Sequence, residues 1–182
     1  ILLAVLPTIF MIVFIYYKDS YEKEPVGLLV SLFALGMAGT IPAVAYETAG
    51  DAFIGLFFYK NSGIYNLISA FLGVALVEEG VKFIALYFRT WKNPNYNYKF
   101  DGIVYAVLVS LGFATVENIL YVLEGGLSVA IARALLSVPS HAIDAVYMGF
   151  YYGYAKYYDS VGIVRRRNKN LRMAVIVPVL LH

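Results

Sequence analysis

Long apolar runs separated by short polar breaks dominate this chain. A helix needs roughly 20 apolar residues to cross a bilayer. On that scale the runs predict spans near 1–17, 25–46, 64–88, 102–124 and 128–157, and a sixth from 171 onward that is cut short at His182. The fifth is long enough to tilt or to project from the bilayer. Between the second and third, the segment from Glu47 to Gly63 holds a short apolar piece, Phe53 to Tyr59. That piece cannot span as a helix and is expected to be interfacial or re-entrant. Ile1 to Tyr17 shows no basic leader and no small-residue cleavage site, so it reads as a first membrane helix rather than a signal peptide. An isoleucine at the start and a histidine inside an apolar run at the end lead us to expect a piece of a longer chain. The predicted fold is an all-α polytopic membrane protein, one transmembrane helical domain over 1–182 with about six helices.

Composition agrees with this picture. The sequence is 61% hydrophobic and 14% charged, whereas soluble domains carry about 25% charged residues. Mean hydropathy is +0.72. With no cysteine there is no disulfide, no thiolate nucleophile and no cysteine metal ligand. A net charge of +2 without a long basic arm gives no reason to expect a nucleic-acid partner.

The cations set an orientation. Lys18 and Lys23 fall in the first predicted loop, Arg89, Lys92 and Lys99 in the third, and Lys156, Arg165, Arg166, Arg167, Lys169 and Arg172 in the fifth. The second loop holds only Lys60 and the fourth has no Lys or Arg. The positive-inside rule therefore predicts loops one, three and five in the cytoplasm and the N-terminus outside. Tyr16, Tyr17, Tyr21, Tyr87, Trp91, Tyr96, Tyr157 and Tyr158 fall at predicted helix ends, where interfacial aromatics belong. Gly149 and Gly153 form a small-xxx-small pair, open to reading as a dimer face or as packing within the bundle.

Against this background the ionisable residues inside the spans need an explanation. They are Glu78, Glu79, Lys82, Glu117, Arg133, His141, Asp144 and His182, with Arg133 near a helix start and open to an interfacial reading. Each such residue at the centre of a membrane helix costs about 2.5–3.5 kcal/mol on insertion scales. Hydrocarbon cannot solvate them, so they are expected to face one another or a hydrated interior, at middle to outer depth. In VALVEEGVK, Glu78 and Lys82 stand four apart in the favourable order for an ion pair. That pair leaves Glu79 unexplained, because an adjacent helical residue points about 100° away. Two neighbouring carboxylates also repel unless a cation compensates, a condition suited to general acid–base chemistry.

The other groups extend the pattern. Phe113 lies one turn before Glu117 and puts an aromatic wall beside it, and Asn118 adds a hydrogen-bonding neighbour. Alone, Glu117 is equally readable as a clamp between helices. In VPSHAID, Asp144 stands three residues after His141 and is placed to orient its ring, and Pro139 can kink the helix there. His182 follows Pro178 by four. A glutamate that deprotonates water, with a histidine and a second carboxyl stabilising the oxyanion and leaving amine, amounts to peptide-bond hydrolysis without a covalent intermediate. The same glutamates and histidines, notably Glu79, Glu117, His141 and His182, are also zinc-type donors. No His-Glu-x-x-His is present, so zinc and a metal-free site both stay open.

Glu78-Glu79-x-x-Lys82, Phe113-x-x-x-Glu117 and the histidines of the last two helices resemble the PrsW family of bacterial membrane proteases, relatives of the CAAX prenyl endopeptidases. The run DGIVYAVLVSLGFATVENILY, Asp101 to Tyr121, is similar to that family's most distinctive segment. The resemblance implies a polytopic protease of the cytoplasmic membrane that makes the first cut in a membrane-anchored anti-sigma factor on the outer side. It implies catalytic roles for Glu78, Glu79, Glu117, His141 and His182, with Lys82 completing the first motif. Two other classes would also want such residues. An ion- or proton-coupled transporter favours relays across the bilayer and repeat symmetry, which the sequence lacks. A non-catalytic sensor or scaffold predicts polar groups paired off structurally.

Overall fold

The computed structural model describes residues 2–19, 23–60 and 62–182, with side chains from residue 5 onward. Ile1, at the start of the first predicted span, and Tyr21, one of the expected interfacial aromatics, lie outside the described residues. The described chain is helical and contains no strand. In order it forms α1 (Leu2–Lys18), α2 (Val26–Ile54), α3 (Gly63–Ile68), a π-helical segment (Ser69–Ala75), α4 (Leu76–Thr90), α5 (Asp101–Ala132), a second π-helical segment (Arg133–Ser137), α6 (Val138–Ser160) and α7 (Val164–Leu181).

Among the described residues, two stretches are long and apolar enough to cross a membrane, Val26–Ile54 and Asp101–Ser160. The second is a folded-back pair. Gly126 has φ 72° and ψ −154°, a conformation open to glycine, and the chain reverses there at the predicted fourth loop. The predicted 64–88 span becomes α3, a π segment and α4 in succession. Large apolar side chains such as Phe10, Ile41, Leu72, Phe88 and Leu136 point outward. Water-soluble surfaces rarely carry so much exposed apolar area, and a lipid-facing surface does.

Two boundaries differ from expectation for one reason. Hydropathy registers where a helix is apolar and not where its backbone hydrogen bonds stop. Thus α2 continues past residue 46 to Ile54, carrying Glu47 and Asp51 with it. Likewise α7 starts at Val164, so Arg165, Arg166, Arg167, Lys169 and Arg172 are helical rather than in a loop. The Phe53 to Tyr59 piece is the end of α2 followed by turns, with Phe53, Leu56, Phe57 and Tyr59 largely exposed.

The first half of α5 is the axis of the bundle. Every residue from Val104 to Thr115 is buried. Glycines let two neighbouring backbones approach it. A Cβ on Gly36 of α2 would overlap the Val109 carbonyl, and one on Gly149 of α6 would overlap Gly102 and Ile103. Gly149 and Gly153 are both buried against α5 and its lead-in, so the small-xxx-small pair packs within the bundle. The hydroxyls of Thr115 of α5 and Thr8 of α1 lie 3.3 Å apart, which brings α1 onto the same axis.

At one end of the bundle, Tyr105 donates its hydroxyl proton to Glu24 at 2.5 Å, and the Asn95 carbonyl lies 3.2 Å from the same oxygen. This ties the first and third predicted loops together, at the end where Lys18, Lys23, Lys92 and Lys99 lie. The Gly126 reversal lies at the opposite end.

Candidate active site

The ionisable residues of four helices meet in one place. Glu78, Glu79 and Lys82 come from the first two turns of α4, directly after the π segment. Glu117 and Phe113 come from α5, His141 and Asp144 from α6, and His182 from the residue that closes α7. Glu79 and Lys82 are no more than 1% exposed, Glu78 4% and His141 5%, so protein groups rather than bulk water must satisfy their charges.

The Lys82 ammonium is the hub. It donates to Glu79 Oε1 at 2.7 Å and to Glu78 Oε2 at 3.1 Å, and it lies 3.1 Å from His141 Nδ1. The Phe113 ring underlies it, with Nζ 4.4 Å from the centroid. Phe113 therefore supports the cation and the histidine, its ring 6.3 Å from that of His141, as well as forming a wall of the cleft. The expected pairing of Glu78 with Lys82 is present, and the same cation accounts for Glu79.

A second pair stands beside the hub. His141 Nε2 is 2.9 Å from Glu117 Oε2. Arg133 Nη2 approaches the same oxygen at 2.8 Å, while Arg133 Nε donates to Asn118 Oδ1 at 2.7 Å. Asn118 thus acts on Glu117 by holding its cation. Arg133 lines the cavity beside Glu117. Its position close to a helix start conceals this in the sequence; it opens the π-helical Arg133–Ser137 segment.

His182 completes the cluster more loosely. Its Nδ1 lies 3.3 Å from Glu79 Oε1 and 3.7 Å from Asp144 Oδ2, and its Nε2 lies 3.9 Å from Glu78 Oε2. Asp144 was expected to orient His141; the structure turns it toward His182 instead. Proximity on one helix face placed Asp144 near His141 in sequence, but α7 packs along α6 and supplies the nearer ring. Ser110 of α5 donates to the His141 carbonyl at 2.9 Å, fixing the α6 backbone at this level.

A cavity of about 470 Å³ opens onto the cluster. Glu78, Glu117, His141, His182 and Arg133 line it, and Glu79 does not. Glu47 and Glu124 also face it. Glu47 escaped notice in the sequence because it follows the apolar part of α2, and only the helical continuation to Ile54 carries it to the cavity. The cavity reaches Leu120, Tyr121 and Glu124, so it opens toward the Gly126 end, away from the cationic loops.

This arrangement can be compared with known proteins. A profile described as the PrsW family of intramembrane metalloproteases matches residues 24–182. The chain belongs to the PrsW family. "Protease PrsW" of Geobacillus kaustophilus is 38% identical over 181 residues, covering 98% of this chain and 74% of that protein. "Protease PrsW" of Bacillus subtilis is 36% identical over 179 residues, covering 98% and 77%. "Protease PrsW" of Clostridioides difficile is 35% identical over 186 residues, covering 100% and 75%. No solved structure matches. Membership makes the chain a membrane-embedded protease and sets aside the transporter and sensor alternatives.

The PrsW family description also names a metal. One donor atom each from Glu78, Glu79, His141 and His182 lie within 4.8 Å of one another, a carboxylate and imidazole set that suits zinc. Glu79 Oε2 is buried and makes no hydrogen bond among the described residues, which leaves a donor spare. The two ring nitrogens of His141 are already faced by Lys82 and Glu117. The residues that would hold a metal are therefore Glu78, Glu79 and His182, a carboxylate and imidazole set.

Proposed function

We propose that this protein is a multi-pass endopeptidase of the cytoplasmic membrane, with about six helices in one domain and its N-terminus outside. It hydrolyses a peptide bond in a membrane-anchored protein. The PrsW resemblance makes the first, outer-side cut in an anti-sigma factor the substrate reading. The observation that carries the proposal is the convergence of Glu78, Glu117, His141 and His182, from four helices, on one hydratable cavity. The cavity opens at the end opposite the cationic loops, which the positive-inside rule assigns to the outer side.

The chemistry follows from access. Glu78 reaches the cavity and Glu79 does not, so Glu78 is the general base. It removes a proton from a water that attacks the scissile carbonyl. Arg133 lines the same cavity and offers guanidinium N–H groups to the oxyanion, while Glu117 engages the His141 Nε2 beside it. The proton held by Glu78 then passes to the leaving nitrogen as the C–N bond breaks, giving a carboxylic acid and an amine. Glu79 holds Lys82 and faces His182, and Glu117 holds His141 and Arg133. A zinc ion held by Glu78, Glu79 and His182 would supply Lewis-acid activation of the same water.

The test is cleavage of a single-pass substrate by the purified protein in proteoliposomes. Glu78→Ala, Glu79→Ala and His141→Ala are expected to abolish cleavage while remaining folded. Folded variants that all cleave at the wild-type rate would remove these residues from the reaction. Metal analysis and chelator sensitivity of the same preparation separate zinc from metal-free catalysis.

A further inference from the structure

The hub at Lys82 fixes more than a charge balance. A lysine ammonium has three N–H donors and no acceptor. Three acceptors lie within reach of this one, Glu79 Oε1 at 2.7 Å, Glu78 Oε2 at 3.1 Å and His141 Nδ1 at 3.1 Å. An ammonium can approach a ring nitrogen that closely only if that nitrogen carries a lone pair. His141 Nδ1 must then be unprotonated, which puts the proton of the neutral ring on Nε2. That nitrogen faces Glu117 Oε2 at 2.9 Å, an acceptor that takes the proton into a hydrogen bond. The Phe113 ring under Nζ closes the apolar side, and the ammonium is buried.

We infer that Lys82 is the positioning residue of the site: by donating to His141 Nδ1 it locks the ring as the Nε2–H tautomer, aims that proton at Glu117 on the cavity wall, and keeps His141 out of the ligand set of any metal. The tautomer itself follows from hydrogen-bond geometry alone. Its value for catalysis rests on the reading of the site as a protease, since the Nε2–H bond fixes Glu117 beside Arg133, the cation offered to the oxyanion. One cation thereby sets two functions on different helices, pairing with both α4 carboxylates and directing an α6 donor. The EE-x-x-K spacing of α4 explains how a single side chain manages this. Residues three and four positions before Lys82 lie on its own face, one on either side of its stem.

Nitrogen NMR of ¹⁵N-histidine-labelled protein in nanodiscs reads the ring, with His141→Gln assigning its signals by their loss. Near neutral pH, His141 Nδ1 is expected at the unprotonated position and Nε2 at the protonated one, with neither moved by added zinc. Lys82→Met is expected to lose the single tautomer and to cut cleavage about 10²-fold, the scale of a misplaced reacting group. Lys82→Arg keeps a donor and is expected to keep the Nε2–H form and recover part of the rate. Wild-type His141 protonated on Nδ1, or both its nitrogens shifted by zinc, would overturn the inference. So would folded Lys82→Met with an unchanged Nε2–H ring. If Lys82→Met does not fold, the wild-type spectrum decides alone. The spectrum needs no substrate, so a protein with the expected tautomer that cleaves nothing refutes the protease reading and leaves this one standing.

Discussion

The two ends of the bundle bury polar groups to similar depth and use them differently. At the cationic end, Asp101 is 2% exposed and accepts from the Asn97 and Tyr98 amides at 3.0 and 2.8 Å. Tyr105 bridges Glu24 and the Asn95 carbonyl, Thr90 and Tyr152 share a 2.9 Å contact, and the Tyr96 and Tyr152 rings stack with centroids 5.3 Å apart. These partners are largely backbone groups and ring faces, and they close loops. At the Gly126 end the partners are other ionisable side chains, drawn from four helices, and a 470 Å³ cavity opens on them. Burial of a polar group therefore separates function from architecture poorly. Charges that depend on one another beside open space separate them well.

The comparison breaks first if chemistry follows burial instead of the cavity. Glu78→Gln keeps the shape of the side chain and removes the base, so cleavage is expected to fall by about 10²–10⁴-fold, the usual contribution of general acid–base catalysis. Circular dichroism and thermal melting should show a folded protein. An equal loss from Asp101→Asn, with folding intact, would erase the distinction between the ends.

A second test concerns the packing that holds both ends in register. Gly149 faces the α5 backbone so closely that any Cβ overlaps it. Gly149→Leu is expected to force α6 off α5 at a cost of about 1–3 kcal/mol, the usual range for overpacking. It should lower the melting temperature and the cleavage rate together. Loss of rate without loss of stability would mean that the crossing serves the site and not the fold.

Much of this site could be read from the sequence because lipid makes polar residues conspicuous. Glu78, Glu79, Lys82, Glu117, His141 and His182 stand out in apolar runs, and alternating helix directions put them at comparable depths. The residues that escaped are those whose local context offered a cheaper explanation. Glu47 follows the apolar part of α2, and Arg133 follows a glycine turn, so each looked like loop or interface. The extra length of α2 carries Glu47 to the cavity, and Arg133 lines it from the start of the π-helical segment before α6. Which groups pair was also hidden, as Asp144 shows: helical spacing pointed it to His141, and the packing of α7 along α6 gave it His182. The fold was legible as helices and reversals, whereas helix ends were not, because capping and backbone bonds continue past the last apolar residue.

The smallest expected effect tests the cationic end directly. Tyr105 is fully buried and its hydroxyl serves Glu24 and the Asn95 carbonyl together. Tyr105→Phe removes that oxygen and little volume, so Glu24 loses a donor in a buried setting. A buried acceptor left short costs about 1–3 kcal/mol, and water entering from the nearby loops offsets part of it. Melting should therefore drop measurably, while the cleavage rate per folded molecule stays at the wild-type value, since no group at the Glu78–Lys82–His141 hub touches Tyr105. A fall in the rate per folded molecule would show that the loop closure at this end sets the geometry of the site at the other, and the two ends would have to be treated as one device.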